Sequence, residues 1–494
     1  MQNGTLLAAV DLGSNSYRLE IGRFDHGQIH RTEYLKETVR QGNGLDEERN
    51  LTREAMQRGW DCLARFGERL AGFKRNQVRA VATQTLREAR NRDEFLERAH
   101  AILGFPIDVI SGREEARLIY QGVAHLLPQS DERRLVVDIG GRSTELILGQ
   151  HFTAGTTESY RVGSVAWSMK HFPEGQFTEG AFARAEVAAK AVLDEALGAY
   201  RRSDWDVAYG ASGTIGAVAD VLGAAGRPAG LIDRAGLQWL HERLLAARSA
   251  DKLKLDGIKD DRRAVIGGGL SVLQATFDLL EIDVLHAAEG ALRHGALFDL
   301  LDREHSETDI RSTTVQRLAG KFGADPAQAA RVGRVAGQLL RQLRSGSDAA
   351  ELDRQQGELG WAAQLHEIGS QISHSDYHKH GAYILDNADA PGFAQPELHR
   401  LSLLVLGHRG KLRKLDADFE DDLFVHQLLC LRLAVILCHA RRDPDLKGVQ
   451  LRADGHVITL ALRADWPQAW PQSAYLLREE VIAWQKTPWI LALA

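Results

Sequence analysis

A short motif of aspartate, glycine and hydroxyl-bearing residues occurs twice in the first half of the sequence. Residues 10–22 align with residues 137–149, and valine, aspartate, glycine, serine, leucine and the final glycine coincide. Glycine lets the backbone turn tightly and approach a ligand closely, and successive N–H groups in a turn form an anion-binding nest. An aspartate at a strand end can hold a hard cation such as Mg²⁺ through water. Two such turns that face each other would bind a phosphate chain from both sides.

The segments around both motifs predict how the motifs are positioned. A short apolar run precedes each motif, at residues 6–10 and 135–137, and a second strand-like run follows it. Each copy therefore predicts a strand, a tight turn and a second strand. A third turn rich in glycine and hydroxyl groups, residues 208–215, precedes an alanine-rich helical pattern. Because the N-terminus of a helix favours anions, this turn is a third candidate phosphate site.

These motifs resemble those of a known family. The paired turns look like the two phosphate loops of the superfamily that contains actin, sugar kinases and heat-shock chaperone ATPases. More narrowly, the chain resembles the exopolyphosphatase and guanosine pentaphosphate phosphohydrolase family over nearly its full length. The segments that carry the resemblance are 11–16, 85–87, 111–118, 138–141, 210–214 and 290–293.

Two adjacent glutamates compete for the role of catalytic base. Ser111 and Glu114 match a capping box, in which the serine caps the N-terminus of a helix and the glutamate stands at its third position. Glu115 points about 100° away around the helix and has no such structural task. The resemblance implies that Glu115 is the general base that activates the attacking water.

The resemblance also implies roles for other residues of the motifs. Asp11 and Asp138 would hold Mg²⁺ or its waters, and Glu145 would join them. Arg87 is expected to clamp phosphate, with a solvated arginine on a helix face as the alternative. The remaining phosphate-binding residues would be Ser14, Asn15, Ser16, Gly140, Gly141, Ser143 and Gly213. Arg142 stands where the family usually has a third glycine, so either a backbone contact is lost or a guanidinium contacts phosphate.

Length and composition restrict the class of protein. A single hydrophobic core stops growing at about 250–300 residues, so a chain of 494 residues needs at least two domains. With 44% hydrophobic and 26% charged residues, the chain has the composition of a soluble globular protein rather than a disordered one. The net charge of −6 argues against nucleic-acid binding that depends on overall charge.

The sequence predicts neither a membrane span nor a secretory signal. The longest apolar stretch, residues 428–438, falls well short of the roughly 20 residues that a membrane-spanning helix needs. No cationic region stands at the start of the sequence. The three cysteines cannot form a disulfide framework, which fits a reducing compartment, so we expect a cytoplasmic protein.

The second half of the sequence is predicted to be helical. From about residue 308, apolar residues recur at the spacing of a helix face. Residues 365–369 resemble part of the helix pair of HD-type phosphohydrolases, although Glu367 replaces the usual aspartate. The resemblance implies an HD-like domain without metal. Four nearby histidines would then form a structural or polyanion-facing cluster, with a second metal centre as the alternative: His366, His374, His378 and His380.

A basic run and a hairpin pattern complete the second half. Residues 408–414 carry four permanent cations, which fit either a solvated face or a surface that guides a polyanion. Apolar residues alternate on both sides of Asp454-Gly455 and predict a β-hairpin. A helical run at 474–484 follows, so these residues predict a small C-terminal α/β module.

The motifs and the family resemblance together imply an α/β fold in four parts. Residues 1–120 and 121–303 would form two actin-like, ribonuclease H-like domains, each with one phosphate loop. Residues 304–444 would form the helical HD-like domain and residues 445–494 the small module. The expected activity is a Mg²⁺-dependent exopolyphosphatase that acts on inorganic polyphosphate. The alternative is a guanosine pentaphosphate 5′-phosphohydrolase, with guanosine penta- or tetraphosphate as ligand, and the family implies a homodimer.

Overall fold

The computed structural model describes residues 1–303, 308–413, 415 and 419–494. The chain forms two compact units, Met1–Thr308 and Asp309–Ala494. The first contains two mixed sheets with helices, and the second is largely helical. The predicted mixed α/β class with a helical C-terminal region is confirmed. The predicted boundaries at 120 and 444 stay predictions, and residue 304, the predicted start of the helical domain, lies outside the described residues.

The first half of the first unit is a sheet with its covering helices. Its strands are β1 (Leu6–Leu12), β2 (Tyr17–Asp25), β3 (Gln28–Glu37), β4 (Val78–Ala82) and β5 (Ile107–Val109). Its helices are α1 (Arg53–Arg69), α2 (Gln84–Glu88), α3 (Arg92–Leu103) and α4 (Gly112–Leu126), with 3₁₀ turns at Gln41–Gly44 and Arg75–Gln77. The strand order is β3-β2-β1-β4-β5. β1 is apolar and almost wholly buried, because neighbouring strands and helices cover both its faces.

The second half of the unit contains a second sheet. Its strands are β6 (Arg133–Ile139), β7 (Thr144–Gln150), β8 (Thr153–Tyr160), β9 (Val207–Ala211), β10 (Leu231–Asp233) and β11 (Val284–Ala287). Its helices are α5 (Ser164–His171), α6 (Glu179–Leu193), α7 (Gly213–Ala224), α8 (Arg234–Ala247), α9 (Asp260–Arg263), α10 (Ile266–Leu279) and α11 (Leu292–Asp302). Short 3₁₀ turns lie at Pro173–Gly175, Asp194–Gly198 and Arg202–Asp204.

The two sheets repeat one topology. The second sheet has the order β10-β11-β9-β6-β7-β8, so β8-β7-β6-β9-β11 matches the order of the first sheet and β10 adds an antiparallel edge. In both sheets the first two strands form the antiparallel hairpin that contains the repeated motif. Asp11 pairs with Arg18 in the first hairpin, and Asp138 pairs with Glu145 in the second. The repeat predicted from the sequence is therefore a repeat of structure with matching register.

Two helices join the halves of the unit. α4, which follows the first sheet, packs on β7 and β8 of the second, and α11 packs on α4 and on β1 of the first. Glycines allow α4 and α11 to approach closely. A Cβ on Gly122 would lie 2.3 Å from the carbonyl oxygen of Ala291, and one on Gly295 would lie 1.8 Å from that of Leu118. This packing brings Glu115, in the first turn of α4, to the boundary between the two sheets.

The second unit combines helices with a small sheet. Its helices are α12 (Ile310–Lys321), α13 (Pro326–Leu343), α14 (Ala349–Leu365), α15 (Tyr377–Asn387), α16 (Gln395–Gly407), α17 (Asp422–Leu437), α18 (Trp466–Ala469) and α19 (Pro471–Trp484), with a 3₁₀ turn at Ile368–Gln371. Its strands are β12 (Val449–Asp454), β13 (Val457–Leu462) and β14 (Ile490–Leu493). β12 and β13 pair around Asp454-Gly455, which confirms the predicted hairpin.

One apolar core unites this second unit. It extends from Val315 to Leu491, so the predicted helical domain and the predicted small module share it. None of the helices in the described ranges is long and apolar enough to cross a membrane.

Candidate functional site

A cavity of about 400 Å³ lies between the two sheets of the first unit. Both repeated motifs line it, as does the third glycine-rich turn at 212–214. Its wall is completed by two segments that the sequence did not predict to bind phosphate, around 257–262 and 288–293. The cavity therefore gathers residues that lie more than 280 positions apart in the sequence.

Most of the predicted site residues meet in this cavity. Those that line it are Asp11, Ser14, Asn15, Ser16, Glu115, Asp138, Gly140, Gly141, Ser143 and Gly213. Arg87 and Glu145 are not among the lining residues, but Arg87 contacts Glu115 and Glu145 is paired in register with Asp138, and both of these partners line the cavity. The roles assigned to all these residues from the resemblance stay predictions, and the geometry shows which of them can act together.

The two phosphate motifs lie next to each other in the wall of the cavity. A Cβ built on Gly141 would lie 3.4 Å from the Cβ of Ser14 and 3.8 Å from that of Asn15. Hydrogen bonds hold the first turn, since the carbonyl oxygen of Ser14 accepts from the Gly42 N–H at 2.8 Å. The second turn is held by α5, whose Ser164 N–H donates to the Gly140 carbonyl at 2.9 Å. An anion in the cavity that lies against both turns would therefore meet two fixed backbones.

The third turn is tied to the second motif. The hydroxyl of Thr214 donates to the carbonyl oxygen of Ile139 at 2.9 Å. Ser212 has a φ of 117° and caps α7, since its Oγ accepts from the N–H groups of Thr214 and Ile215. A positive φ is costly for a residue other than glycine, and such strain is found at functional sites. At Gly213 a Cβ would lie 2.2 Å from the Arg262 guanidinium, so this cation packs directly against the turn.

Glu115 is the glutamate that reaches the cavity. Ser111 caps α4 as predicted, with its Oγ accepting from the Glu114 N–H at 3.1 Å. Glu115 Oε2 accepts from Arg87 Nη1 at 2.7 Å. Burial raises the pKa of Glu115 above its ordinary value; Arg87 opposes this shift and the Asp11 carboxylate adds to it. A carboxylate whose pKa is moved toward neutrality is better suited to accept a proton from water.

Arg87 holds Glu115 in place. Besides the bond to Glu115, its Nη1 donates to the Ile110 carbonyl at 2.9 Å and its Nη2 to Gln84 Oε1 at 2.7 Å. The side chain is only 11% exposed, so it is not the solvated arginine of the alternative. Its position makes it a positioning residue for Glu115, and its contact with phosphate stays a prediction.

Three further carboxylates lie close to Glu115. Burial raises the pKa of Asp138 well above its ordinary value, and Glu115 and Asp11 add to this while Arg18 opposes it. Burial likewise raises the pKa of Glu145, with contributions from Glu115 and Asp138. The Ser159 hydroxyl donates to Glu145 at 2.7 Å. These carboxylates repel one another, so a cation among them would be stabilised.

The donor set fits Mg²⁺. Among the residues that the structure describes, no three His, Cys, Asp or Glu side chains form a ready-made metal cluster. Mg²⁺ does not need one, because it keeps several waters and is usually bound through one or two carboxylates together with substrate phosphates. Asp11 and Asp138 line the cavity beside the phosphate turns, and Glu145 lies behind them. Magnesium binding by these three residues stays a prediction.

Replacing Glu145 with glutamine should make the protein more stable at neutral and alkaline pH. A carboxyl whose pKa is raised by folding contributes stability below its unfolded-state pKa and loses it as the pH rises through the raised value. Above that value the wild type pays for a buried charge that glutamine lacks. We therefore expect Glu145→Gln to unfold at a higher temperature than wild type at about pH 8, with a smaller difference at acidic pH. A variant that unfolds earlier than wild type throughout this pH range would contradict the assignment.

Cations that carried no sequence prediction also line the cavity. Arg18 Nη1 lies 2.9 Å from Asp11 Oδ2. Lys36, on β3, pairs with Asp261 of α9 at 2.8 Å, so this ion pair connects the two halves of the unit. Arg262 and Lys259 come from the same segment as Asp261. The only sequence signal for any of these cations is the repeat, in which Arg18 of the first copy aligns with Glu145 of the second.

Arg142 contacts protein groups of the first half. Its Nη1 donates to the Gly42 carbonyl at 3.1 Å, and its Nη2 pairs with Glu88 at 3.2 Å. It does not line the cavity. The extra guanidinium at this position therefore braces the loop beside the first phosphate motif.

The predicted histidine cluster of the second unit contains both buried and exposed side chains. His366 and His378 are buried beside His408, with ring centroids 5.4 Å apart for His366 and His408 and 6.3 Å apart for His378 and His408. His374 is exposed. Burial lowers the pKa of His366 and of His408, which favours their neutral forms. A structural role for the buried histidines fits this packing, and whether this unit binds metal stays a prediction.

Only part of the basic run at 408–414 is exposed at the surface of the second unit. His408 is buried, and the guanidinium of Arg409 lies over the Tyr377 ring, 4.7 Å from its centroid. Lys411 and Arg413 are exposed, and Lys414 lies outside the described residues. A solvated face and a polyanion-guiding surface both stay open.

Comparison with known proteins gives relatives of nearly the same length. A protein from Vibrio atlanticus named guanosine-5′-triphosphate,3′-diphosphate pyrophosphatase is 41% identical over 465 residues, covering 93% of this chain and 92% of the relative. A protein of the same name from Aeromonas hydrophila is 37% identical, covering 99% of each chain. The crystal structure of the Aquifex aeolicus member of the Ppx/GppA family is 25% identical with a TM-score of 0.52, covering 61% of this chain and 99% of that one.

These relatives overturn the main functional expectation. An exopolyphosphatase acting on inorganic polyphosphate was expected, and this expectation is wrong, because the relatives are named for a guanosine substrate. The reason lies in the chemistry that the motifs encode. Both activities cleave a terminal phosphoanhydride, so phosphate turns and a base cannot distinguish them. The basic run at 408–414 does not distinguish them either, because it fits a solvated face as well as a surface that guides a polyanion.

Two family models account for most of the chain. The model described as Ppx/GppA phosphatase family matches residues 21–304, and the model described as Ppx/GppA phosphatase, domain III matches residues 310–481. The first match includes the second phosphate motif, Glu115 and the third turn. The resemblance inferred from the motifs is thereby confirmed, and the chain belongs to the Ppx/GppA phosphatase family.

Proposed function

We propose that this protein hydrolyses the terminal phosphoanhydride at the 5′ end of guanosine 5′-triphosphate 3′-diphosphate. Relatives of nearly equal length that bear the name of this substrate support the proposal. The products would be guanosine 5′-diphosphate 3′-diphosphate and inorganic phosphate. This reaction needs one water and no other co-reactant.

The observation that carries the proposal is that one cavity holds two separate sets of anion-binding groups. The adjacent turns at 13–16 and 140–143 form the first set. Lys36, Lys259 and Arg262 form the second, on other segments of the wall. A substrate with phosphates at both its 5′ and 3′ positions would use both sets, whereas a simple nucleoside triphosphate would use the first. Charge-assisted hydrogen bonds from such cations are about twice as strong as neutral ones.

In the proposed mechanism Glu115 removes a proton from the attacking water. The water oxygen bonds to the terminal phosphorus, the bond from that phosphorus to the bridging oxygen breaks, and the electron pair leaves with the nucleotide. Arg87 keeps the Glu115 carboxylate directed while burial keeps it basic. Phosphoryl transfer depends mostly on positioning and on neutralising charge.

Backbone N–H groups of the two motifs and Arg18 would bind the terminal phosphates. Gly141 and Ser14 lie close enough for both turns to contact one phosphate group. Asp11, Asp138 and Glu145 are the residues that would hold Mg²⁺. When bound, Mg²⁺ would neutralise negative charge on the phosphate oxygens.

The finer description of the fold is part of this proposal. We infer that the two sheets represent two actin-like lobes, which their shared strand order supports. An HD-like helical domain with a small terminal module and a homodimeric assembly follow from the family resemblance and stay predictions.

A comparison of three substrates tests the proposed function. Phosphate release is measured with guanosine 5′-triphosphate 3′-diphosphate, GTP and long-chain polyphosphate, each with Mg²⁺ or with EDTA. We expect kcat/KM for the first to exceed that for GTP by at least about tenfold, because a charged hydrogen bond is worth about 1.5–3 kcal/mol. Equal or higher values for GTP or for polyphosphate would contradict the assigned substrate. Full activity in EDTA would contradict the predicted role of Mg²⁺.

A further inference from the structure

A second groove, of about 600 Å³, lies at the C-terminal end of α7. It is formed by the end of α7, one face of α8 and the segment 252–256. Its volume is within the range of about 300–1,000 Å³ that is usual for small-molecule sites. None of the residues assigned to catalysis or to phosphate binding lines it.

The groove carries an excess of positive charge. Arg243, Lys252, Lys254 and Arg263 line it, with Asp256 as its acidic residue. In the described part of the chain, Arg243, Lys252 and Lys254 form no ion pair. Like charges held together without partners repel one another, so an anion in the groove would be stabilised.

Arg263 adds a buried donor. Its Nη2 pairs with Asp260 at 3.0 Å, whereas its Nε is buried and has no hydrogen-bond acceptor among the described residues. A buried polar group without a partner is costly, and such groups frequently mark a missing ligand or water.

The remaining wall of the groove is apolar and aromatic. Ala224, Ala225, Leu253 and Leu255 contribute aliphatic surface. The Trp239 ring also lines it, with the Arg243 guanidinium 5.3 Å from the ring centroid. A planar base can stack on an indole or a guanidinium while its phosphates contact lysines. An inorganic phosphate chain would leave this apolar surface exposed.

One segment separates the groove from the cavity. Residues 252–256 line the groove, whereas Gly257, Lys259 and Arg262 line the cavity. The segment is seated tightly on α7, since a Cβ on Gly257 would lie 2.5 Å from the Asp220 carbonyl oxygen. A ligand in the groove would therefore contact the segment that supplies cations to the cavity.

We propose that this groove is a second ligand site that binds a nucleotide, with the base against Trp239 and the aliphatic wall and the phosphates on Lys252, Lys254 and Arg243. Its cationic and apolar halves match the two halves of such a ligand. The site is distinct from the catalytic cavity, so its test does not depend on the proposed reaction.

Calorimetric titration of the full chain with guanosine 5′-(α,β-methylene)diphosphate tests the proposal, because this analogue resists hydrolysis. Wild type is expected to bind the analogue in the groove, with a second class of site when the catalytic cavity also takes it. Lys252→Glu/Lys254→Glu should weaken one class by at least about tenfold and leave the other unchanged. Lys74→Glu/Arg75→Glu, which changes two exposed cations elsewhere by the same charge, should keep both classes.

Two results would overturn the proposal. The first is an absence of binding, or binding in one or two classes that Lys252→Glu/Lys254→Glu leaves unchanged. The second is tighter binding of inorganic tripolyphosphate than of the nucleotide analogue at the class that these variants remove, because the apolar wall would then contribute nothing.

Discussion

Replacing Glu115 with glutamine is expected to lower kcat by about 10²–10⁴-fold, the usual contribution of a positioned general base. Glutamine keeps the shape of the side chain but cannot accept the proton of the attacking water. Because burial raises the pKa of Glu115, activity of the wild type should fall as the pH drops through that value. In the variant the contribution of Glu115 to this acidic limb should disappear, and any limb that remains belongs to Asp138 or Glu145, whose pKa values burial also raises. Steady-state kinetics over a pH series measures both effects.

The stability of the same variant provides its control. The raised pKa means that ionised Glu115 is less favourable in the folded protein than in the unfolded chain. A neutral glutamine should therefore leave the unfolding temperature at neutral pH no lower than that of wild type. A folded variant with kcat within tenfold of wild type would show that another group is the base.

Replacing the neighbouring residue, Glu114, should instead lower the stability of the fold. Its side chain is fully buried, and its two oxygens accept from Nε and Nη2 of Arg117, both at 2.8 Å. Arg117 also pairs with Asp299 of α11, so the cluster fastens α4 to that helix. Breaking a buried ion pair by removing one partner costs about 3–5 kcal/mol, so Glu114→Gln should reduce the free energy of unfolding by about that amount.

Urea unfolding measures this loss, with Glu115→Gln as the matched neighbouring variant. Glu114 does not line the cavity, so at a temperature where Glu114→Gln is folded its kcat should stay within a few-fold of wild type. A stable Glu114→Gln variant with a hundredfold loss of kcat would reverse the roles assigned to the two glutamates.

Much of the catalytic side of the cavity could be predicted because it is local in the sequence. Each phosphate motif is a hairpin turn, and all the residues that shape it lie within a few positions. Ser111 identifies the start of α4, so the helix geometry separates Glu114 from Glu115 without any tertiary information. The repeat even places Arg18 at the position of Glu145, although its contact with Asp11 is visible only in the structure.

The part of the cavity wall formed by Lys36, Lys259 and Arg262 could not be predicted, because it depends on long-range packing. Lys36 is on an edge strand of the first sheet and reaches Asp261 more than 200 residues later. No local pattern distinguishes it from other surface lysines. The proposed discrimination between a guanosine substrate and polyphosphate depends on this wall, whereas the motifs that led to the exopolyphosphatase expectation serve both activities equally. Arg142 likewise could not be assigned, because its partner Glu88 belongs to the first half.

The most direct test of the proposed chemistry is hydrolysis of guanosine 5′-triphosphate 3′-diphosphate in ¹⁸O-labelled water, followed by ³¹P NMR of the products. If water attacks the terminal 5′ phosphorus, the label appears in inorganic phosphate and the nucleotide product is an unlabelled 5′,3′-bisdiphosphate. Glu115→Gln should form both products at least about a hundredfold more slowly. Label in the nucleotide, or release of pyrophosphate or of a 3′ phosphate, would contradict attack at that phosphorus within this cavity.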